Sequence, residues 1–363
     1  MKSFKKSVFL IILLITSIAF TGCGGGFTDA IQPKNGQTVF TTNKEIAEFV
    51  SKKWTTKLCD GYYEKGLEHY APEYAEFVFD DVADEFFISE NADMSGAKVY
   101  ECSNNEFAVR GLKTGTTYYW QYTSGGNKSA VRSFKTANGV RTLYIGGVTN
   151  TRDMGAWTVY DDDNKPKGVI RQGLLFRSAT LDNISEAGKD YIVNDLGIKT
   201  ELDLRAVSET ERRPMINGVK YINISCPQYA YNGLGIFEFD GGENANSYAI
   251  KNIISVFADV SNYPIDFHCA IGRDRTGTVA FLLGALCGMS EEDLCREYDL
   301  SFFAGLDENT PSRMHQTSFL PLLDKMKSYS DSEKSLAYNT RMYLLDTGVT
   351  EEDLDNICDI LIE

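Results

Sequence analysis

The spacing of apolar positions changes character twice along the chain. Ile46, Phe49, Val50 and Trp54 recur at helical intervals behind Asn43, a residue suited to capping a first turn. From about Tyr74 to Thr136 the pattern becomes short alternating runs separated by Asn-, Asp- and Gly-bearing turns. It predicts strands at Ala75–Phe79, Glu85–Ser89, Ala97–Cys102, Glu106–Arg110, Thr116–Tyr122 and Ala130–Phe134. A strand about every ten residues suggests a small all-β sandwich. Past a seam at Ala137–Val140, strands alternate with helices, as in an α/β architecture. The predicted strands there are Arg141–Gly146, Gly168–Phe176, Thr200–Leu204, Val219–Ile224 and Pro264–His268. Helices are predicted over Ser185–Leu196, Ala245–Val260 and Thr276–Leu286. The last third reads as helical, with capping-box-like starts at Ser290 and Thr350.

One stretch of this pattern carries chemistry. The apolar strand ending at His268 runs into Cys269-Ala270-Ile271-Gly272-Arg273-Asp274-Arg275-Thr276-Gly277, which opens an apolar helix containing Val279, Leu282, Leu283 and Leu286. A loop of backbone amides ahead of a helix N-terminus cradles an anion. Arg275, five residues beyond Cys269, can grip two oxygens of a phosphate monoester. The same field would hold Cys269 as the thiolate that attacks phosphorus. His268 can orient the loop, and Thr276 can hydrogen-bond the sulfur as it leaves. Ala270 to Arg275 are therefore the expected phosphate-binding residues, with Arg273 facing either solvent or a second anionic group of the substrate.

A bare Cys-x5-Arg is weak evidence, but the full string in a strand–loop–helix setting is specific. It resembles the signature loop of the cysteine-dependent protein tyrosine phosphatases, and most closely the bacterial branch described as tyrosine/serine or dual protein and phosphoinositide phosphatases. Asn150-Thr-Arg152-Asp153-Met-Gly155 resembles that branch's Asn-x-Arg-Asp-Leu-Gly entry motif. Gly173-Leu-Leu-Phe-Arg177-Ser178, Leu202-Asp203-Leu204-Arg205 and Tyr298-Asp-Leu-Ser301 resemble three further motifs in the same order. Arg273 stands where most members carry Lys, so lipid-substrate inferences tied to that lysine are weakened. The resemblance covers roughly residues 140–305. It implies a phosphatase fold with a central, mostly parallel sheet and a helical C-terminal part, acting through a phosphocysteine with no metal and no cofactor. Substrates would be phosphorylated proteins, phosphotyrosine first, with phosphoinositides or small phosphates as the rival class.

A general acid must protonate the leaving group. The chain has no Trp-Pro-Asp, so Asp274 leads, Asp203 follows and Asp240 is third. Asp203 could instead pair with Arg205 or Arg177 and hold the sheet edge. Asn150, Arg152, Asp153 and Arg177 are expected to brace the pocket rather than touch phosphate.

The N-terminus has a basic start at Lys2, Lys5 and Lys6, an apolar run from Val8 to Phe20, and Thr21-Gly22-Cys23. These are the marks of an export signal, too short for an ordinary spanning helix. Phe-Thr-Gly-Cys23 resembles a bacterial lipobox, which implies cleavage after residue 22 and acylation of Cys23. The chain would then be lipid-anchored on the outer face of a bacterial cytoplasmic membrane, or periplasmic. The expected organisation is signal 1–22, linker 23–42, a helix plus sandwich over 43–138, and a catalytic domain over 139–363. Leu112 to Trp120 resembles the approach to a late strand in fibronectin type III domains, with Tyr118 as the corner tyrosine.

Composition narrows the partners. The 363 residues carry 36 Lys and Arg against 51 Asp and Glu, a formal charge of −15. Loss of the signal leaves 33 basic residues against 51 acidic ones, or −18. So acidic a body does not bind nucleic acid by bulk electrostatics. Only three histidines occur, His69, His268 and His315, which argues against a histidine-rich metal site. Eight cysteines show no regular spacing; disulfides and buried thiols are both open readings for those outside Cys23 and Cys269.

Overall fold

The computed structural model describes residues 31–62, 69–226, 235–304 and 315–363. Residues 1–22 and Cys23, read above as signal and lipid anchor, lie outside this set. Among the described residues no helix is long and apolar enough to cross a membrane.

The N-terminal half holds β1 (Gln37–Val39), helix α1 (Lys44–Ser51), β2 (Ala75–Val78), β3 (Glu85–Ser89), β4 (Lys98–Glu101), β5 (Glu106–Val109), β6 (Thr117–Ser124), β7 (Asn127–Lys128) and β8 (Arg132–Thr136). One sheet runs β1-β8-β6-β3-β4, with β7 on β6, and a second pairs β2 with β5. Between them sits an aromatic core of Phe77, Phe79, Phe86, Trp120, Tyr122 and Phe134. Ala75 and Phe77 of β2, Phe86 and Ile88 of β3, and Tyr118, Trp120 and Tyr122 of β6 alternate into this core, which is why an alternating sequence was sufficient to locate those strands. The Tyr118 hydroxyl accepts from the Lys113 amide at 2.9 Å and ties down the turn before β6.

Two expectations about this half are corrected. The stretch 31–42 is not a plain linker, because β1 pairs in parallel with β8 and Ile31 enters the aromatic core. Helix α1 does not serve the sheets beside it in sequence. Its buried Ile46 and Phe49 join the core of the α/β half, with Phe49 against Phe303 at 5.2 Å between ring centroids. An apolar helical stripe is covered by whichever apolar surface the tertiary fold brings to it, and sequence adjacency does not choose that surface.

The second half continues with β9 (Arg152–Asp153), β10 (Thr158–Tyr160), β11 (Pro166–Val169), β12 (Leu175–Ser178), α2 (Glu186–Asp190), β13 (Thr200–Asp203), β14 (Lys220–Asn223), α3 (Asn246–Ala258), β15 (Ile265–His268), α4 (Asp274–Cys287), α5 (Glu291–Asp299), α6 (Leu320–Lys327), α7 (Leu336–Asp346) and α8 (Glu351–Leu361). The main sheet has the order β14-β13-β15-β12-β9; the first four strands are parallel and β9 is antiparallel. Both faces are covered. Leu175, Leu202, Ile265 and Phe267 face the larger helical core, while Phe176 turns into the smaller one around α2.

Predicted Arg141–Gly146 forms no regular strand. It folds back about Gly146–Gly147, exchanging single bridges at Thr142 with Arg152 and Ile145 with Val148. Predicted Gly168–Phe176 divides at Gly173, whose φ is +85°, so that β11 pairs with β10 while β12 enters the main sheet. The predicted caps are present: Asn43 Oδ1 accepts from Glu45 N at 2.9 Å, Ser290 Oγ from Asp293 N at 3.1 Å, and Thr350 Oγ1 from Asp353 N at 3.1 Å.

The central strand β15 therefore ends between β13 and β12, at the carboxyl edge of a parallel sheet. All fourteen residues of α4, which follows at once, are buried. Strand, loop and helix are held on every side.

Candidate active site

Cys269 follows the last residue of β15 and is 1% exposed. The loop from Cys269 to Arg275 is shaped from outside. Thr180 N donates to Ala270 O at 3.1 Å, Asn150 Nδ2 to Ile271 O at 3.0 Å, and Arg177 Nη2 to Gly272 O at 2.6 Å. In a trans peptide the carbonyl and the following N–H point opposite ways. Three carbonyls drawn outward thus turn the amides of Ile271, Gly272 and Arg273 toward the concave side. Gly272 has φ +72°, and a Cβ there would lie 2.2 Å from Ser178 O, so only glycine fits.

Burial pushes the Cys269 thiol up, but the Thr276 hydroxyl and amide, the Arg275 charge and the Gly272 amide outweigh it and bring its pKa below the ordinary thiol value. The buried Thr276 hydroxyl is the foremost of the groups that lower the thiol. Arg275 is 6% exposed, and its two Nη atoms donate to the Glu209 carboxylate at 2.8 and 3.0 Å.

The predicted braces come together as an ion network behind the loop. Arg177 and Arg152 both reach Glu297 on α5. Arg152 Nε lies 2.8 Å from Oε1 and Arg177 Nη1 lies 2.5 Å from Oε2. Arg152 also donates to Asn150 Oδ1, which sets the amide that Asn150 offers to Ile271 O. Burial lowers the Arg177 pKa to about 10 despite Glu297. Burial alone would raise the Glu297 carboxyl, yet the two arginines hold it below the ordinary range. Asp153 accepts from Arg141 at 2.9 Å, Gly155 N at 2.8 Å and Gly173 N at 2.6 Å, so it organises the strands' approach and does not touch the loop.

His268 is fully buried, with Nε2 at 3.2 Å from Glu201 Oε1 and Nδ1 at 3.2 Å from Cys269 O. Burial would lower its pKa, but Glu201, Asp203 and Asp266 raise it to about 9, so both ring nitrogens carry protons and donate. Glu201, Asp203 and His268 form a cluster of metal-ligand character. Its carboxylates already have cationic partners, Arg213 for Glu201 and Arg205 for Asp203, each at under 3 Å. The donor set is therefore neutralised from within.

The three acid candidates separate clearly. Asp203 is buried against Arg205 at 2.8 Å; burial raises its pKa, but Arg205 and His268 outweigh this and keep it low. Its oxygens accept from the Arg205 amide and guanidinium and from the Tyr221 hydroxyl, so the structural pairing expected for it is the reading the structure favours over the catalytic one. Of the two pairings expected for it, Arg205 is realised and Arg177 is not. Asp240 lies exposed beyond the short turn Gly235–Phe237. Asp274 is the first residue of α4, with Oδ1 3.0 Å from Arg273 Nε. Arg273 is not solvated as one reading expected: it is 8% exposed and lies 5.3 Å over the Phe302 ring.

Glu209, Glu201 and Glu297 were missed in the sequence. Glu297 left a trace, since it falls on the stripe set by Leu294 and Tyr298 and so puts a charge on the buried face of α5. Glu209 left none. Arg205 donates to Asp203, to both oxygens of Asp182 and to the Glu209 carbonyl, and this fold of the chain is what presents Glu209 to Arg275.

Residues 143–363 match the family model described as the tyrosine phosphatase family. A tyrosine-protein phosphatase of Nostoc commune is 24% identical over 154 residues, which is 37% of this chain and 50% of that protein. The chain thus spans about half the length of this curated relative. Among solved structures, the core catalytic domain of the PP-IP phosphatase SIW14 from S. cerevisiae with citrate is 17% identical, over 42% of this chain and 86% of that one, with a TM-score of 0.27. TpbA of P. aeruginosa in complex with phosphotyrosine is 16% identical, over 44% and 86%, with a TM-score of 0.28. Because the family match runs over the greater part of the chain and encloses every strand and helix that holds the loop, the protein belongs to the tyrosine phosphatase family.

Proposed function

We propose that the chain hydrolyses phosphate monoesters through a phosphocysteine on Cys269, with phosphotyrosine in proteins as the first substrate class and phosphoserine or phosphothreonine as further ones. The observation that carries this reading is a thiolate-favouring Cys269 inside a loop whose outward carbonyls are tied by Thr180, Asn150 and Arg177. The inward amides and Arg275 take the three non-bridging oxygens. A guanidinium has five N–H donors, so Arg275 can share itself between phosphate and Glu209. The sulfur forms the S–P bond as the ester P–O bond breaks, and Asp274 gives the leaving oxygen its proton. Water then attacks phosphorus, Asp274 takes the proton back, and the sulfur leaves as a thiolate steadied by Thr276 and Arg275.

The catalytic unit is assigned to 139–363, with α1 as added cover. The two N-terminal sheets are read as a fibronectin type III-like module. Export and anchoring through an acylated Cys23 are part of the same reading and rest on residues 1–23 of the sequence.

The test is turnover of phosphotyrosine peptides and of inositol phospholipids by the wild type and Cys269→Ser. Peptide turnover abolished by the substitution supports the reading. Turnover confined to inositol phospholipids moves the substrate to the phosphoinositide class. Retained activity in Cys269→Ser overturns the mechanism, and no turnover by the wild type points to a surface binding protein with an inactive phosphatase domain.

A further inference from the structure

Cys287 is the last residue of α4 and Cys358 lies in the final turn of α8. The two helices pack together, with Cα atoms approaching within 8 Å. Cys287 is wholly buried, Cys358 partly so, and the two thiols are hydrogen-bonded to each other. Both cysteines belong to the same core, and thiols paired across two packed helices need little backbone movement to reach bonding distance. We propose that Cys287 and Cys358 are a disulfide-forming pair that ties the C-terminal helix to the helix bearing the signature loop.

The surroundings favour a covalent link over a metal. Among the described residues, the cluster of His, Cys, Asp and Glu that converges is Glu201, Asp203 and His268, and it includes neither of these cysteines. Two thiols without further ligands do not make a zinc site. A nearby charge is instead the Lys167 ammonium, which favours the thiolate form of each. The hydrogen bond from Cys287, with burial opposing and Lys167 adding, leaves Cys358 below the ordinary thiol value, while donating that bond, together with burial, pushes Cys287 well above it. The more exposed sulfur is thus the one prepared to attack.

With glutathione disulfide as oxidant, the Cys358 thiolate attacks one sulfur and releases one glutathione thiolate, leaving a mixed disulfide. Cys287 gives up its proton, attacks the Cys358 sulfur and displaces the second glutathione. The protein loses two protons and two electrons, and one glutathione disulfide becomes two glutathione thiols.

The link closes a seam already made by three elements. Tyr160 N donates to Gly288 O at 2.8 Å, and Val169 and Glu363 exchange backbone hydrogen bonds at 2.9 and 3.0 Å. It lies at the opposite end of α4 from the signature loop, about 20 Å away for a helix of this length. Stapling the C-terminal helix would therefore stabilise the fold without altering the chemistry of Cys269. The inference stands on the packing of the two helices and the shared core that holds both cysteines, and is independent of where the chain resides.

The test uses the full chain carrying Cys269→Ser, which removes the signature-loop thiol from the experiment. After equilibration with glutathione disulfide, alkylation and non-reducing peptide mapping should show a Cys287–Cys358 cross-linked peptide. The oxidised protein should melt about 5 °C or more above the reduced one. Adding Cys358→Ser should abolish both the cross-link and the oxidant-dependent shift while leaving the reduced melting point close to its parent. Both cysteines remaining alkylatable after oxidation, or Cys358 joined to a different cysteine, would overturn the proposal.

Discussion

Glu209 meets Arg275 through both guanidinium Nη atoms, at 2.8 and 3.0 Å. Its own carboxyl is lowered chiefly by that hydrogen bond, and Oε2 also accepts from Ala206 N at 2.9 Å. Arg275 is therefore aimed by a residue from a different strand end, and Arg205 holds the intervening turn.

Glu209→Gln keeps the shape and removes the charge. Because the Glu209 side chain is 40% exposed, solvent screens part of the interaction. The expected loss in kcat/KM is roughly tenfold, equivalent to about 1.4 kcal/mol, with KM carrying most of it. Steady-state kinetics on para-nitrophenyl phosphate reads this out, and an unchanged KM would count against an aiming role.

Thr276→Val should raise the pKa of Cys269, since the hydroxyl is the foremost group lowering it against burial. The rate of inactivation by iodoacetate, followed across pH, should show its rising limb at higher pH in the variant. Coincident profiles would mean that Arg275 and the amides hold the thiolate unaided.

Glu297→Ala leaves Arg152 and Arg177 buried with no carboxylate between them. Removal of one partner from a buried ion network costs on the order of 3–5 kcal/mol. A urea titration should show that loss, together with a larger fall in activity than Glu209→Gln produces, because Arg177 and Asn150 also hold the loop carbonyls.

His268 makes stability depend on pH. Its folded pKa of about 9 lies above the ordinary 6.5, so its contribution is whole below pH 6.5 and is lost as pH rises through 9. Asp266, raised to about 7 mainly by burial, acts in the same direction at a lower pH. Unfolding free energies from urea titrations should fall between pH 6.5 and 9.5 by an amount on the order of 3 kcal/mol. His268→Gln should keep only the earlier part, ascribed to Asp266, and a flat profile in the wild type would contradict both assignments.

The sequence by itself determined what local chemistry determines. Cys269, Arg275, Gly272 and Thr276 fall within one short stretch, so their spacing alone was enough to single out the loop proposed as the anion cradle. Alternation located β2 to β6, and Asn43, Ser290 and Thr350 marked helix starts, because strand faces and caps are settled within a few residues. Tertiary structure decided the rest. Asp203 could not be told from an acid until Arg205 and His268 were seen around it, and Glu209 came to Arg275 only through the turn that Arg205 holds. The destination of α1, the pairing of β1 with β8 and the packing of α4 against α8 likewise join residues far apart in the chain. No local pattern encodes such pairings; they follow from which apolar faces and which charges the packed sheet brings together.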